Sequence, residues 1–445
     1  MKKTIKFFIC ILILIITSSS FSQIDIEQKN IDWDVCKYYP TKESNKISIA
    51  RSEFVKNRME NRLTPCSNFI IDFDAGFDAN PAAKAAFQFA ADIWSNQLDS
   101  PVPIRVDANF GPLDPGVLGG AGPNGLVGLT FDGGVTATFF ARALAEQILG
   151  IETTDTNDPN DPNDDENPSN DIIATFSSTA NFYFGTDENT PSNQIDFVTV
   201  VLHELGHGLG ILGLGNVNDT DAMGDPQTPT LGFINPGGFP SVWDEFIENG
   251  SGTSILDFGD PSADLLREFT SNDLFSNGPI TTFQNNGILP SIYAPDPFRS
   301  GSSYSHWDED IYPPGNLNSL MTPFVSNGEA IHDPGTVTLG FMEDMGWTLC
   351  NFTLSSSEIV IEDIAISPNP FTERLTINLP SNLRNDNFNI SITDLNGRVI
   401  INQDMSASNG EITLPNLNSL KASLYFITVE SLDSGASFTD KIIKR

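Results

Sequence analysis

The chain has 445 residues, 39% of them hydrophobic, and sets 58 acidic against 23 basic side chains for a formal charge of −35. That length is enough for two or three domains with real apolar cores. The charge argues against a nucleic-acid or anionic-membrane partner, favours solubility outside a cell and supplies many oxygen ligands for calcium. Only four histidines are present, so every imidazole available to a metal can be named.

The N-terminus reads MKKTIKFFICILILIITSSSFSQ, a basic start, an apolar run from Phe7 to Ile16 and small residues at Ser20 and Ser22 before Gln23. This is the pattern of a secretory signal peptide over residues 1–22, and its apolar run is short for a membrane span. No other stretch has the unbroken apolar length to cross a bilayer, so no transmembrane segment is expected. Removal of the signal takes Lys2, Lys3, Lys6 and Cys10 with it, moves the charge to −38 and leaves Cys36, Cys66 and Cys350. In an oxidising compartment three cysteines allow one disulfide. Cys66 and Cys350 lie at the two ends of the candidate catalytic domain, and domain ends are often close in space, which favours that pair; Cys36 with Cys66 across a short loop is the other pairing. Residues 23–65 are polar and read as a pro-segment or N-terminal arm, with ordered structure expected from about Cys66.

Residues 69–73 alternate as a strand, and residues 80–98 hold Ala83, Ala86, Phe87, Ala90, Ile93, Trp94 and Leu98 at helical spacing. Residues 102–106 predict the next strand, 111–134 a glycine-rich loop and 137–150 (ATFFARALAEQILG) a helix closed by its final glycine. Residues 152–171 are dense in Asp, Asn and Pro and predict a surface loop that buries nothing apolar. Its carboxylates make calcium a second cofactor expectation, although the EF-hand spacing is missing. Residues 172–183 return to β-branched and apolar types and predict the edge strand that would grip an extended substrate through its backbone.

Residues 197–210, FVTVVLHELGHGLG, carry the densest chemistry. On a helix His203 and His207 stack on one face, where each can turn a nitrogen to one metal ion, and Glu204 falls beside the open coordination position as a candidate general base. Asp196 can cap the helix start, with Ile195 and Val200 at staple positions and Val198, Val201, Leu202 and Leu205 to bury. Two histidines leave a zinc site one ligand short. The candidates are His306 in SSYSHWDED, His332 in EAIHDPG and the loop carboxylates Asp219 and Asp221.

HExxH with Gly210, a distant Ser305-His306-Trp307 and then NSLMTP around Met321 resembles the leishmanolysin-like branch of the metzincin zinc peptidases. Gly213 stands where the compact metzincin pattern has its third histidine, so the resemblance implies His306 as the third zinc ligand after a long insertion over residues 214–304. Helical pieces are expected in that insertion at residues 243–248 and 263–269. The resemblance also implies Met321 as the apolar floor of the site. His332 follows the methionine turn and reads as a loop histidine. The domain closes with a helix-like pattern over residues 336–347.

From about residue 355 short alternating strands take over: Leu375, Ile377 and Leu379; Phe388, Ile390 and Ile392; a turn at Asn396 and Gly397 into Val399 and Ile401; Ile412 and Leu414; Tyr425, Ile427 and Val429. SPNPF, DLNGR, LYFITV and the terminal KIIKR resemble the C-terminal sorting domain of type IX secretion, with Ser423 where that family usually has glycine. The expected fold is an α+β metzincin-like catalytic domain, a twisted sheet with an active-site helix, plus a C-terminal all-β sandwich domain. The expected layout is signal peptide 1–22, arm 23–65, zinc metallopeptidase domain 66–350, linker 351–364 and sorting domain 365–445. Together these resemblances imply a secreted or cell-surface zinc metalloendopeptidase that meets protein substrates and the type IX machinery. The alternatives are an adhesion or glycan-binding protein on a silent metzincin fold and a zinc amidase.

Overall fold

The computed structural model describes residues 25–29, 38–130, 138–153, 169–220, 226–234, 239–350, 364–380, 383–384, 387–393, 399–408, 410–421, 423–432 and 437–445. The signal peptide, Cys36, Asp221, the turn at Asn396 and Gly397 and most of the acidic loop and of the linker lie outside these residues. The chain divides into two compact units, residues 1–350 and 351–445.

The first unit is built on a four-stranded sheet. Ile104–Gly111 alternates buried and half-buried residues along its length, which places it centrally, with Phe69–Phe73 and Ile172–Ser177 parallel to it on either side. The fourth strand, Gly119–Pro123, runs antiparallel to Ile172–Ser177 and forms one edge. Helix Pro81–Ser95 starts on an Asn80 side-chain cap, with proline in its first turn where a missing N–H is harmless. Its alanines keep that face low, and Trp94 donates from Nε1 to the Leu202 carbonyl at 2.9 Å, tying this helix to the histidine helix Phe197–Gly208.

Four expectations need correction here. Residues 111–134 are not all loop: they contain the strands Gly119–Pro123 and Leu126–Thr130. A β-carbon at Gly119 would meet the Phe176 ring at 2.8 Å, so glycine is there to let a strand approach, and it leaves no apolar alternation to read. The edge strand is therefore Gly119–Pro123, while Ile172–Ser177 lies inside the sheet. Residues 137–150 are a strand, Thr138–Ala141, followed by helix Arg142–Leu149 with Gly150 as its left-handed cap; Thr-Phe-Phe prefers the pleated conformation and pairs with Leu126–Thr130. Order begins well before Cys66, with strand Tyr39–Ile49 running parallel to Phe324–Ile331 and then helix Glu53–Glu60 on a Ser52 cap. The apolar residues that anchor this arm, Tyr38, Ile49 and Val55, are fully or nearly buried but too widely spaced to show as a pattern.

Cys66 and Cys350 are joined by a disulfide with 5.6 Å between their α-carbons. Both hang on one short segment: the Cys66 N–H donates to the Ser95 carbonyl and the Cys350 N–H to that of Gln97. Within the insertion, residues 243–248 form a 3-10 turn, Asp244–Phe246, leading into strand Ile247–Asn249, and Ala263–Phe269 is a helix.

The second unit consists of two antiparallel sheets, Ala365–Ser367, Leu375–Asn378 and Glu411–Leu414 in one, and Val399–Ser406, Asn387–Thr393, Ser423–Ser431 and Ser437–Lys444 in the other. Phe371, Ile377, Phe388, Ile390, Ile392, Ile412, Leu414, Ile427 and Val429 share one apolar cluster, so alternate residues of each strand face inward.

Candidate metal centre

Helix Phe197–Gly208 is buried along its whole length and starts on Asp196, whose Oδ1 accepts from the Thr199 N–H at 2.8 Å. Asp196 is itself gripped: Thr190 Oγ1 donates to its Oδ2 at 2.7 Å, and His332 Nε2 lies 2.8 Å from its Oδ1. His332 lies in the loop after strand Phe324–Ile331, as expected, but it is fully buried and serves the N-terminus of this helix.

Three imidazoles meet at the other end. The Nε2 atoms of His203, His207 and His306 form a triangle with sides of 3.1, 3.2 and 3.3 Å. Each ring is oriented from behind by a backbone carbonyl on Nδ1: Leu320 at 2.7 Å for His203, Ile211 at 2.7 Å for His207 and Ser302 at 2.6 Å for His306. A carbonyl can only accept, so each Nδ1 carries the proton and each Nε2 presents a lone pair to the common centre. Burial pushes the imidazoles down, His207 to about 4 and His203 and His306 well below the usual histidine value, so the three remain neutral. Three neutral lone pairs facing one point are an arrangement that could hold a cation. Tetrahedral zinc with bonds of about 2.0 to 2.1 Å needs ligand nitrogens about 3.3 Å apart, and the triangle has that size.

Glu204 lies on the same helix, fully buried. Its Oε2 accepts from the Ala121 N–H of the edge strand at 2.7 Å, while Oε1 has no hydrogen-bond partner among the described residues. Burial holds this carboxyl well above the usual carboxylate range, only partly offset by the Ala121 N–H.

Local sequence explains how His306 reaches the pair across about a hundred residues. A β-carbon at Gly213 would strike the Tyr304 and Trp243 rings at 2.5 and 2.8 Å, so the glycine standing in the compact third-ligand position is what admits the segment carrying His306. Ser305 Oγ then holds the Gly213 N–H at 3.0 Å. The Leu320–Met321 turn grips both sides: the Leu320 carbonyl takes His203, and the Met321 carbonyl takes the Trp307 N–H at 2.9 Å. Met321 packs under the helix, where a β-carbon at Gly206 would lie 2.8 Å from its sulfur. Among the described residues neither Asp219 nor His332 joins the triad, and Asp221 is outside them.

Two features of the site have little sequence signal. Ala121 is one residue in a glycine-rich run. Tyr38, in an otherwise polar arm, lays its ring flat on His203, with centroids 3.8 Å apart and 10° between planes. Its backbone pairs with the edge strand, N–H to the Gly119 carbonyl and carbonyl from the Leu118 N–H, and its hydroxyl reaches the Phe324 carbonyl at 3.3 Å. The aromatic pair Tyr38-Tyr39 amid polar residues was the available hint.

Residues 365–445 match the family described as the secretion system C-terminal sorting domain, and residues 164–221 match one described as SPBPB7E8-like, a span that includes the histidine helix. The chain thus carries a type IX sorting tail, which implies dealings with that secretion machinery and export to the surface or the medium. Among the described residues no helix is long and apolar enough to cross a membrane. No curated protein matches the chain. Solved structures with local likeness include a DUF3244-family protein with an immunoglobulin-like β-sandwich fold from Bacteroides vulgatus, at 24% identity over 18% of this chain and 84% of that one, TM-score 0.16. Two others come from Porphyromonas gingivalis. PorZ, a surface component of its type IX secretion system, is 19% identical over 21% of this chain and 12% of its own, TM-score 0.16. Dimeric latent PorU is 21% identical over 18% of this chain and 9% of its own, TM-score 0.16.

Proposed function

We propose that this chain is a secreted zinc metalloendopeptidase of metzincin type, nearest to the leishmanolysin-like branch. The observation that carries the reading is the triangle of three backbone-oriented histidine Nε2 atoms with an unengaged Glu204 oxygen on the same helix. His203, His207 and His306 would hold the metal, which when bound supplies a polarising charge for a scissile carbonyl and brings the pKa of a water down to about 7. Glu204, with Oε2 fixed by Ala121 and Oε1 unengaged, takes the water proton and returns it to the leaving amine.

The walls of the site suit an extended peptide. Tyr38 already lies antiparallel to Gly119 of the edge strand, and the strand after it runs parallel to Phe324–Ile331. The arm thus occupies the place an extended peptide would take, by backbone hydrogen bonds that do not discriminate among side chains.

The test is digestion of casein by the purified mature chain, with and without a chelator. Glu204→Gln is expected to keep one zinc per chain and lose activity by about 10²- to 10⁴-fold, the usual worth of a positioned general base. Undiminished cleavage by that variant overturns the mechanism. Retained zinc with no cleavage of any peptide by the parent would move the reading to a non-peptide amide or a silent binding scaffold.

A further inference from the structure

Away from the histidines, three carboxylates from three elements converge. Glu146 comes from helix Arg142–Leu149, Glu152 from the turn after it and Asp171 from the residue before strand Ile172–Ser177, and one oxygen of each lies within 4.8 Å of the others. Glu146 is 0% and Asp171 1% exposed. Each has one oxygen engaged: Glu146 Oε1 accepts from the N–H and the hydroxyl of Thr153, both at 2.8 Å, and Asp171 Oδ2 accepts from the Arg105 N–H at 2.7 Å. Their other oxygens, Glu146 Oε2 and Asp171 Oδ1, are buried with no hydrogen-bond partner among the described residues. Carboxylate oxygens taken out of water without a donor or counter-charge are costly.

The neighbouring arginines resolve this only in part, although Arg142 is near enough for Asp171 and Glu146 to favour its charged form. Arg105 Nε stands 3.7 Å from Glu152 Oε1, and Arg142 directs Nη1 to the Asn170 carbonyl at 3.3 Å. With all groups ionised, three carboxylates face two guanidinium groups and a negative charge remains.

We propose that Glu146, Glu152 and Asp171 bind a calcium ion that ties the end of helix Arg142–Leu149 to the start of strand Ile172–Ser177. The donor set is all oxygen, which selects a hard cation over zinc, and ligands drawn from a helix, a turn and a strand end suit calcium's irregular shell better than the strict octahedron of magnesium. The ion would also brace the histidine helix. Ile172 fills the space where a β-carbon at Gly208 would be, and Leu144, two residues before Glu146 on the same helix, packs on Gly210. Both glycines lie just past His207.

The probe is calcium chloride, titrated calorimetrically into the zinc-loaded full chain carrying Glu204→Gln to prevent self-digestion, with magnesium chloride as control. One equivalent of calcium is expected to bind and to raise the unfolding temperature by several degrees, with magnesium giving less. Glu146→Gln and Asp171→Asn are each expected to weaken calcium binding at least tenfold and abolish that rise. In calcium-free buffer the same variants should unfold no lower than the parent, since each takes one acidic group out of a crowded buried cluster, and this separates a lost site from a lost fold. Replacing Asp155, Asp158, Asp161, Asp164 and Asp165 of the acidic loop with Asn should leave binding intact. No calcium effect on the parent, binding that survives Glu146→Gln, or binding lost only with the loop carboxylates overturns the proposal. The readouts are stoichiometry and stability, so they stand or fall apart from the protease reading.

Discussion

His306 and His332 are both buried histidines bonded to oxygen acceptors, yet they face different chemistry. His306 turns Nε2 to within 3.3 Å of two other imidazoles; His332 turns it to the Asp196 carboxylate at the far end of the histidine helix. His306→Ala is therefore expected to drop zinc well below one equivalent and take activity with it, whereas His332→Ala should keep near-stoichiometric zinc and lose stability instead. Metal analysis of the two purified variants decides this, and equal zinc loss in both would remove the distinction. The imidazoles also set a pH dependence. In the metal-free chain they bind protons less readily than in the unfolded state, where the histidine pKa is about 6.5, so the unfolded state gains protons first on acidification. Stability is complete above that value and is lost as pH falls towards His207's folded value of about 4, on the order of 3 kcal/mol from His207 alone. Unfolding midpoints in chelator at pH 7, 5.5 and 4.5 should fall in that order, and excess zinc should flatten the series at its upper end. A chelated chain with a level profile would mean that the rings are not held neutral by burial.

At the scale of elements, the arm covers the site. Tyr38 bridges the edge strand and the wall strand Phe324–Ile331 while covering His203, and the arm is pinned beyond it, where the His332 N–H meets the Ile49 carbonyl and Asp333 accepts from the Ser52 N–H at 2.8 Å. On the proposed peptidase reading, a substrate would have to displace it. If only a small fraction of molecules has the arm out of the cleft, apparent affinity falls by that fraction, so limited proteolysis that removes residues through 50 is expected to raise kcat/KM on casein by roughly tenfold or more. The comparison is between intact and trimmed chains at equal zinc content. Identical rates would make the arm a bystander, and loss of zinc on trimming would make it part of the fold.

For the whole molecule, the two units have separate apolar clusters, one spanning Tyr38 to Trp347 and the other Phe371 to Ile442. Every residue of the candidate metal centre belongs to the first unit. Deleting residues 365–445 is accordingly expected to leave zinc content, casein cleavage and the unfolding of the first unit within error of the parent, while export through the type IX machinery is lost. A drop in zinc or a broadened transition after the deletion would show that the units depend on one another.

The sequence by itself determined the parts whose chemistry is local. HExxH on a helix capped by Asp196 needs only the helical repeat to put two imidazoles on one face, and the alternation of Phe388, Ile390 and Ile392 needs only the pleat to turn them inward. The Ser305-His306-Trp307 and NSLMTP stretches pointed to His306, which does converge with His203 and His207. What only the tertiary structure decided are relations between segments far apart in the chain. Gly119 and Gly213 read as loop residues because glycine has no side chain to carry a pattern, yet each is required by an aromatic ring arriving from elsewhere. Tyr38 over His203 and His332 under Asp196 are long-range contacts made by single residues with no periodicity around them. The buried carboxylates Glu146 and Asp171 sat beside or at the end of a stretch whose composition speaks for solvent. Burial is a property of the packed chain, and a residue's own letters do not state it.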